Sequence, residues 1–232
     1  MKRSKIQAEI QRAKQLLAAN SFKLPMFGYW TLEDWKKNVS KLDIIRQTLL
    51  GWDVTDFGGG DFDSLGAVLF TIRNGVLNMD GIGCPYAEKL IIIRDGQMLP
   101  LHFHFSKTED IINRGGGVLE IQVYNSLSNE EIDYESDVNV YLDGIKQIVK
   151  SGTTIEISHG NSMTITPRLY HLFKAKKGCG DLIVGEVSSI NDDSVDNRFA
   201  VTMKRFSDIE EDEPIVVPLV NEFERSLFAS QR

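Results

Sequence analysis

His102 and His104 stand one residue apart in Leu101-His102-Phe103-His104-Phe105, and Glu109 follows at the end of the next turn. Successive side chains on a β-strand alternate faces, so both imidazoles project from one side while Leu101, Phe103 and Phe105 project from the other. One face is suited to chemistry and the other to packing. The Glu109 carboxylate can close over the two imidazoles. Neutral imidazoles and a hard carboxylate, with no soft ligand among them, suit a divalent first-row metal such as Mn, Fe, Co, Ni or Zn.

Gly96 and Gly116 bracket this stretch, and the spacing Gly-x5-His-x-His-x4-Glu-x6-Gly resembles the first signature of the cupin superfamily at every fixed position. That resemblance implies a jelly-roll β-barrel and a fourth ligand from a later strand. It points to His171, at the family's distance from Gly160, although Pro167 falls one position late and no second glycine precedes the histidine. Three of the four histidines then fall on the pattern. The fourth, His159, is expected in a solvated turn beside Gly160.

The elements that must hold this strand are read from periodicity. Ile6, Ile10, Ala13 and Leu17 form one apolar stripe at helical spacing, which stops near Asn20. Thr31 can cap a second helix carrying Glu33 and Asp34 at its positive end, with Trp35, Val39, Leu42, Ile45 and Leu49 along one side and Gly51 as its C-terminal cap. These helices need a surface, and the face bearing Leu101, Phe103 and Phe105 is a candidate. From Trp52 the pattern changes to short runs between turns: 65–73, 89–94, 118–124, 153–157, 163–166 and 182–187, with Asn74-Gly75 and Asp95-Gly96 as hairpin signals. Gly58-Gly59-Gly60 reads as loop, lacking the context of a phosphate cradle. Many short strands with turn punctuation describe an all-β barrel, the cupin jelly roll, with N-terminal helices on its outer face. The expected organisation is one domain, a helical segment over residues 1–51 and the barrel over 52–232.

A chain of 232 residues can bury a sizeable core. Its formal charge of −7 would repel nucleic acid and anionic membrane, and no basic patch offsets it. The two cysteines, Cys84 and Cys179, have no metal-ligand spacing, and no secretory or membrane-spanning run is evident, so a reducing, cytoplasmic setting is expected. The acids from Asp208 to Glu213 read as a solvated loop. The apolar run from Ile215 to Val220 reads as a further strand, and with the outer sheet face it suggests a homodimer.

Longer stretches make the resemblance more specific. Gly51-Trp-Asp-Val-Thr-Asp-Phe-Gly58, Tyr86-Ala-Glu-Lys89-Leu90, His102 to Gly117, and Asn191 to Phe199 with its Asn197-Arg198-Phe199 together resemble the bacterial D-lyxose ketol-isomerase family, from Trp30 to Glu213. The resemblance implies a single-domain, often dimeric cupin that uses Mn2+ or a similar divalent ion to interconvert D-lyxose with D-xylulose and D-mannose with D-fructose. It implies His102, His104, Glu109 and His171 as metal ligands and Lys89 as a substrate contact. The family also uses an acid after its Asn-Arg-Phe, where this chain has Ala200 to Arg205 without one; Glu186 and Asp196 are the nearest acids. Asp196 and Arg198 fall in a loop where a barrel mouth would deliver substrate contacts.

The chemistry agrees with the residue types. Aldose–ketose isomerisation needs a Lewis acid at the carbonyl and adjacent hydroxyl, and a base that moves a proton between C2 and C1 through an enediolate. Lys89, if buried, could supply a lowered-pKa amine or a cation beside the enediolate. Two other classes use the same ligand set: a cupin dioxygenase, expected to have an apolar pocket, and a non-catalytic sugar-binding cupin. The acid- and amide-rich loop from Asn191 to Arg198 favours a polyhydroxylated ligand. No helix-turn-helix accompanies the terminal helices.

Overall fold

The computed structural model describes residues 1–192 and 195–228, the side chain of Asp80 excepted. Asp193 and Ser194, inside the loop assigned to substrate contacts, lie outside the described residues. The first strands are β1 (Gly51–Thr55), β2 (Ala67–Val76), β3 (Met79–Ile93), β4 (His102–His104), β5 (Glu109–Gly116), β6 (Leu119–Ser126) and β7 (Ile132–Asp133). They are followed by β8 (Val138–Leu142), β9 (Ile145–Val149), β10 (Thr154–Ile157), β11 (Ser162–Ile165), β12 (Tyr170–Ala175), β13 (Leu182–Ser189) and β14 (Asn197–Phe199). Eight strands form one sheet in the order β1-β2-β3-β13-β5-β11-β8-β9; the other runs β10-β6-β12-β4-β14, with β7 beside β6. The two curled antiparallel sheets make the cupin jelly roll expected from the motif.

Strict alternation builds the interior. On β5, Glu109, Ile111, Asn113 and Gly115 point inward; on β6, Leu119, Ile121 and Val123 do so. Ile91, Ile111 and Val184 of the larger sheet meet Ile121, Val123 and Phe173 of the smaller one in a single core. The register places His171 directly opposite His102 between β12 and β4. A slip of one residue would turn an imidazole to the outer face.

Helix α1 (Arg3–Ala19) covers the outer face of the larger sheet, its Ile6, Ile10, Ala13 and Leu17 buried with Trp52, Val54, Val68, Phe70, Leu90 and Ile92. Burial of aliphatic side chains, each worth about 1.5–3 kcal/mol, holds a helix that begins without a side-chain cap. The covered face is therefore that of β1 to β3, not that of the histidine strand. β4 has three residues and lies in the opposite sheet; its Phe103 packs edge-on against Tyr170, under the Arg168 guanidinium.

The second helix is interrupted. Thr31 and Asp34 form the expected capping box for α2 (Leu32–Lys37), but a 3-10 turn intervenes before α3 (Asp43–Thr48). Asn38 turns its side chain back to the Asp34 carbonyl at 2.9 Å, a local bond that competes with helix propagation. The C-terminal cap is Leu49 in the left-handed region (φ 52°), while Gly51 already opens β1. Asn74-Gly75 is likewise not a turn: it lies within β2, and the hairpin reverses at Leu77-Asn78 with Asn78 at φ 61°. A Cβ on Gly75 would meet the Cys84 carbonyl at 2.2 Å, so the glycine serves close strand approach at a bulge. Lys89, expected at the start of a short strand, lies well inside the fifteen-residue β3.

The acidic tail is only partly solvated. Arg3, fully buried, donates to Glu211 at 2.9 Å and to Glu222 at 3.0 Å, while Ser4 binds Asp212 and Gln7 binds Glu213. Removing one partner of such a buried pair costs about 3–5 kcal/mol because the other charge is left unpaired. The run from Ile215 to Val220 is not a strand: Val217 and Leu219 join the α1 cluster, and Val220 packs with Trp35 and Phe223. That apolar surface is used within the protomer.

Candidate active site

His102, His104 and His171 converge at one end of the core, with ring centroids 4.2 Å apart for His102–His171, 5.0 Å for His102–His104 and 5.4 Å for His104–His171. All three are buried, and their ligand atoms lie within 4.8 Å of one another. Backbone carbonyls set two of the tautomers. Since a carbonyl can only accept, Nδ1 of His102 donates to Pro100 at 2.8 Å and Nδ1 of His171 donates to Leu169 at 3.0 Å, which leaves each Nε2 with its lone pair free for a cation. Burial, with the neighbouring histidines, pushes the His102 imidazole well below its ordinary range; burial also lowers His171 despite Glu109. Neutral rings are the form that binds a metal.

Glu109 completes the set from the facing sheet. Its Oε1 lies 3.4 Å from Nε2 of His104 and 3.3 Å from Nε2 of His171. Glu109 Oε1 and His171 Nε2 are buried without a hydrogen-bond partner. Nitrogen and oxygen ligands about 2.1 Å from one ion and roughly 90–110° apart are separated by about 3.0–3.4 Å, so these orphaned atoms fit a shared cation. Burial alone would raise the Glu109 carboxyl, but the Lys107 ammonium and then His104 hold it well below the usual carboxylate range.

Beside this cluster sit two buried lysines and a second buried acid. Lys107 Nζ is 2.7 Å from Glu109 Oε2 and 2.9 Å from Glu186 Oε1, and Lys89 Nζ is 3.6 Å from the same Glu186 oxygen. Strand pairing explains the arrangement: Lys89 of β3 lies opposite Glu186 of β13, which lies opposite Ile111 of β5, all on the inner face. A cavity of about 40 Å³ opens onto these groups, lined also by Phe57, Leu69, Asn197, Phe199 and Arg205. Such a wall carries carboxylates and ammoniums rather than the purely apolar lining suited to O2.

The other sequence-derived residues are placed differently. Asp196 does not line the cavity; its carboxylate accepts from the backbone amides of Ser106 and Lys107 at 2.9 and 3.1 Å and stands 3.9 Å from Nδ1 of His104. It fixes the turn that carries Lys107. Arg198 faces outward, paired with Glu130 at 3.0 Å and half-exposed. His159 is exposed, as its turn predicts. Two cationic wall residues escape the sequence reading. Lys107 had a signal, lying inside the motif two residues before Glu109; Arg205 had none, because only the tail's path across the barrel mouth brings it to the cavity.

The model of the D-lyxose isomerase family matches residues 1–223. The D-lyxose/D-mannose isomerase of Escherichia coli O157:H7 is 42% identical over 225 residues, which are 96% of this chain and 98% of that one. The enzyme of the same name from Serratia proteamaculans is 39% identical over 226 residues, 97% and 99% of the two chains. Among solved structures, L-ribose isomerase of Geodermatophilus obscurus superposes with a TM-score of 0.58 at 14% identity, covering 90% of this chain and 98% of that one. The Acinetobacter sp. DL28 L-ribose isomerase in complex with L-ribose gives 0.54 at 14% identity with the same coverage. At that identity the likeness concerns the fold.

Proposed function

Because this chain belongs to the D-lyxose isomerase family, we propose that it is a D-lyxose ketol-isomerase, interconverting D-lyxose with D-xylulose and D-mannose with D-fructose through an enediolate. The observation that carries the reading is the meeting of Glu186, Lys89 and Lys107 beside a three-histidine, one-carboxylate cluster in one buried cavity. His102, His104, Glu109 and His171 would hold a divalent ion, Mn2+ by preference with Co2+, Fe2+, Ni2+ or Zn2+ as alternatives. When bound, such an ion supplies Lewis-acid polarisation of the carbonyl and its neighbouring hydroxyl.

Glu186 takes the base role. Its carboxylate accepts the C2 proton of the aldose; the electron pair left behind forms the C1–C2 double bond, and Glu186 returns the proton to C1 while the O2 hydroxyl proton passes to O1. No oxidant or reductant is needed. Lys89 and Lys107 lie within reach of the same carboxylate and offset negative charge growing on the two oxygens. Asp196 positions His104 and Lys107, and Arg205 takes the wall position that the sequence had assigned to Arg198. The reading treats residues 1–51 as a helical cover and 52–232 as the barrel of one domain, and the setting as cytoplasmic, supported by two free cysteines. Among the described residues no helix is long and apolar enough to cross a membrane.

The direct test is conversion of D-lyxose to ketose by protein loaded with Mn2+, then stripped with chelator, then reloaded. Turnover that falls at least about 100-fold on stripping and returns on reloading is expected; steady turnover in the stripped, metal-free protein would refute the metal reading. The reading also includes a homodimer. Its support is the exposed apolar set Leu77, Met79, Tyr86 and Val187 around the β2–β3 hairpin and β13. Light scattering at micromolar concentration is expected to give twice the chain mass, and a monomeric mass would reject it.

A further inference from the structure

A second cavity of about 210 Å³ adjoins the first and shares Leu69, Lys89 and Arg205 with it. A sugar with C1 and C2 at Glu186 would have Lys89 and Arg205 beside it, and past that shared wall its remaining carbons would enter the second cavity. The second cavity is lined for such a chain by Thr48, Asp53, Thr71, Asn74 and Asn191 among apolar groups.

Asp53 brings a buried, unpartnered oxygen to that lining. It stands on β1 opposite Leu69 of β2, on the inward face, and its side chain is 5% exposed. Its Oδ2 accepts from Arg205 at 2.6 Å, while Oδ1 is buried with no hydrogen-bond partner. A buried carboxylate oxygen without a partner is costly unless something else satisfies it. Thr55 fixes Arg205 in turn, its hydroxyl donating to the Arg205 carbonyl at 2.9 Å.

We propose that Asp53 is a specificity-determining residue that accepts a hydroxyl from the end of the open-chain sugar remote from the metal, with the second cavity receiving carbons C4 to C6. This rests on the isomerase reading above and extends it to the substrate's far end. The Asp53–Arg205 pair then forms one wall of that cavity, with Asp53 Oδ1 as its acceptor. Chains too short to reach it gain nothing from it.

The experiment compares D-lyxose and D-mannose with the three-carbon aldose glyceraldehyde in the metal-loaded wild type, Asp53→Asn and Thr71→Val. The expected result for Asp53→Asn is a ratio of kcat/KM for lyxose over glyceraldehyde at least about tenfold lower, with the change in KM rather than kcat. Thr71→Val, which removes a hydroxyl from the same cavity without touching Arg205, is expected to lower the ratio less and covers a failure of Asp53→Asn to fold. Equal losses on all three aldoses, or an unchanged ratio in both variants, would overturn the assignment. Absence of turnover by the wild type on every aldose would instead overturn the isomerase reading itself.

Discussion

Replacing His171 by alanine is expected to abolish metal retention and turnover together. His171 is completely buried, its ring held by the Leu169 carbonyl and by direct pairing with His102 across β12 and β4. Alanine leaves His102, His104 and Glu109 as three of the four groups that would hold the ion. Loss of an outer hydrogen-bonding partner of a metal ligand typically costs about 10–100-fold in affinity, so loss of a ligand is expected to cost at least about 100-fold. Metal content of the dialysed variant and its rate with D-lyxose are the two readouts, with His159→Ala, on an exposed turn, as the comparison. Full occupancy and normal turnover in His171→Ala would place the fourth ligand elsewhere.

Glu186→Gln is expected to lower kcat by about 10²–10⁴, the range supplied by a positioned general base, while leaving metal content unchanged. Glutamine keeps the size of the side chain but not its basicity or its charge toward Lys89 and Lys107. Wild-type turnover of D-lyxose in deuterated water is expected to put solvent deuterium on C1 of xylulose, because a proton held on a carboxylate exchanges. A hydride shift would move hydrogen from C2 to C1 directly and need no base. If C1 stays unlabelled over repeated turnovers, and Glu186→Gln, Lys89→Ala and Asp196→Asn all keep most of their rate, the enediolate route through these residues fails.

The metal motif was legible because a fixed one-residue spacing on a strand has one geometric outcome, with both imidazoles on the same face. The α1 stripe was legible for a similar reason, since a period near four has one helical face. What it covered was not, because periodicity says which residues are buried but not against what. Glu186 and Lys89 are far apart in sequence and meet only through the β3–β13 register, so the family resemblance could name Lys89, and the missing late acid could suggest Glu186, without pairing them. Asn74-Gly75 shows the limit of turn chemistry: the same dipeptide that favours a reversal also permits close strand approach, and packing chose the latter. Arg205 and Asp53 belong to segments 152 positions apart, and no local pattern joins them.

The clamp between Arg3 and the tail bears on how the chain is made. Arg3 and its carboxylate partner Glu222 are 219 positions apart, so the arginine is made well before that counter-charge. Until Glu222 follows, docking of α1 on β1 to β3 would leave the Arg3 guanidinium, buried in the folded chain, without that counter-charge, which opposes docking. The seat of α1 is thus completed only once the segment carrying Glu222 has been made, so the outer face of that sheet gains its full cover late in the folding order.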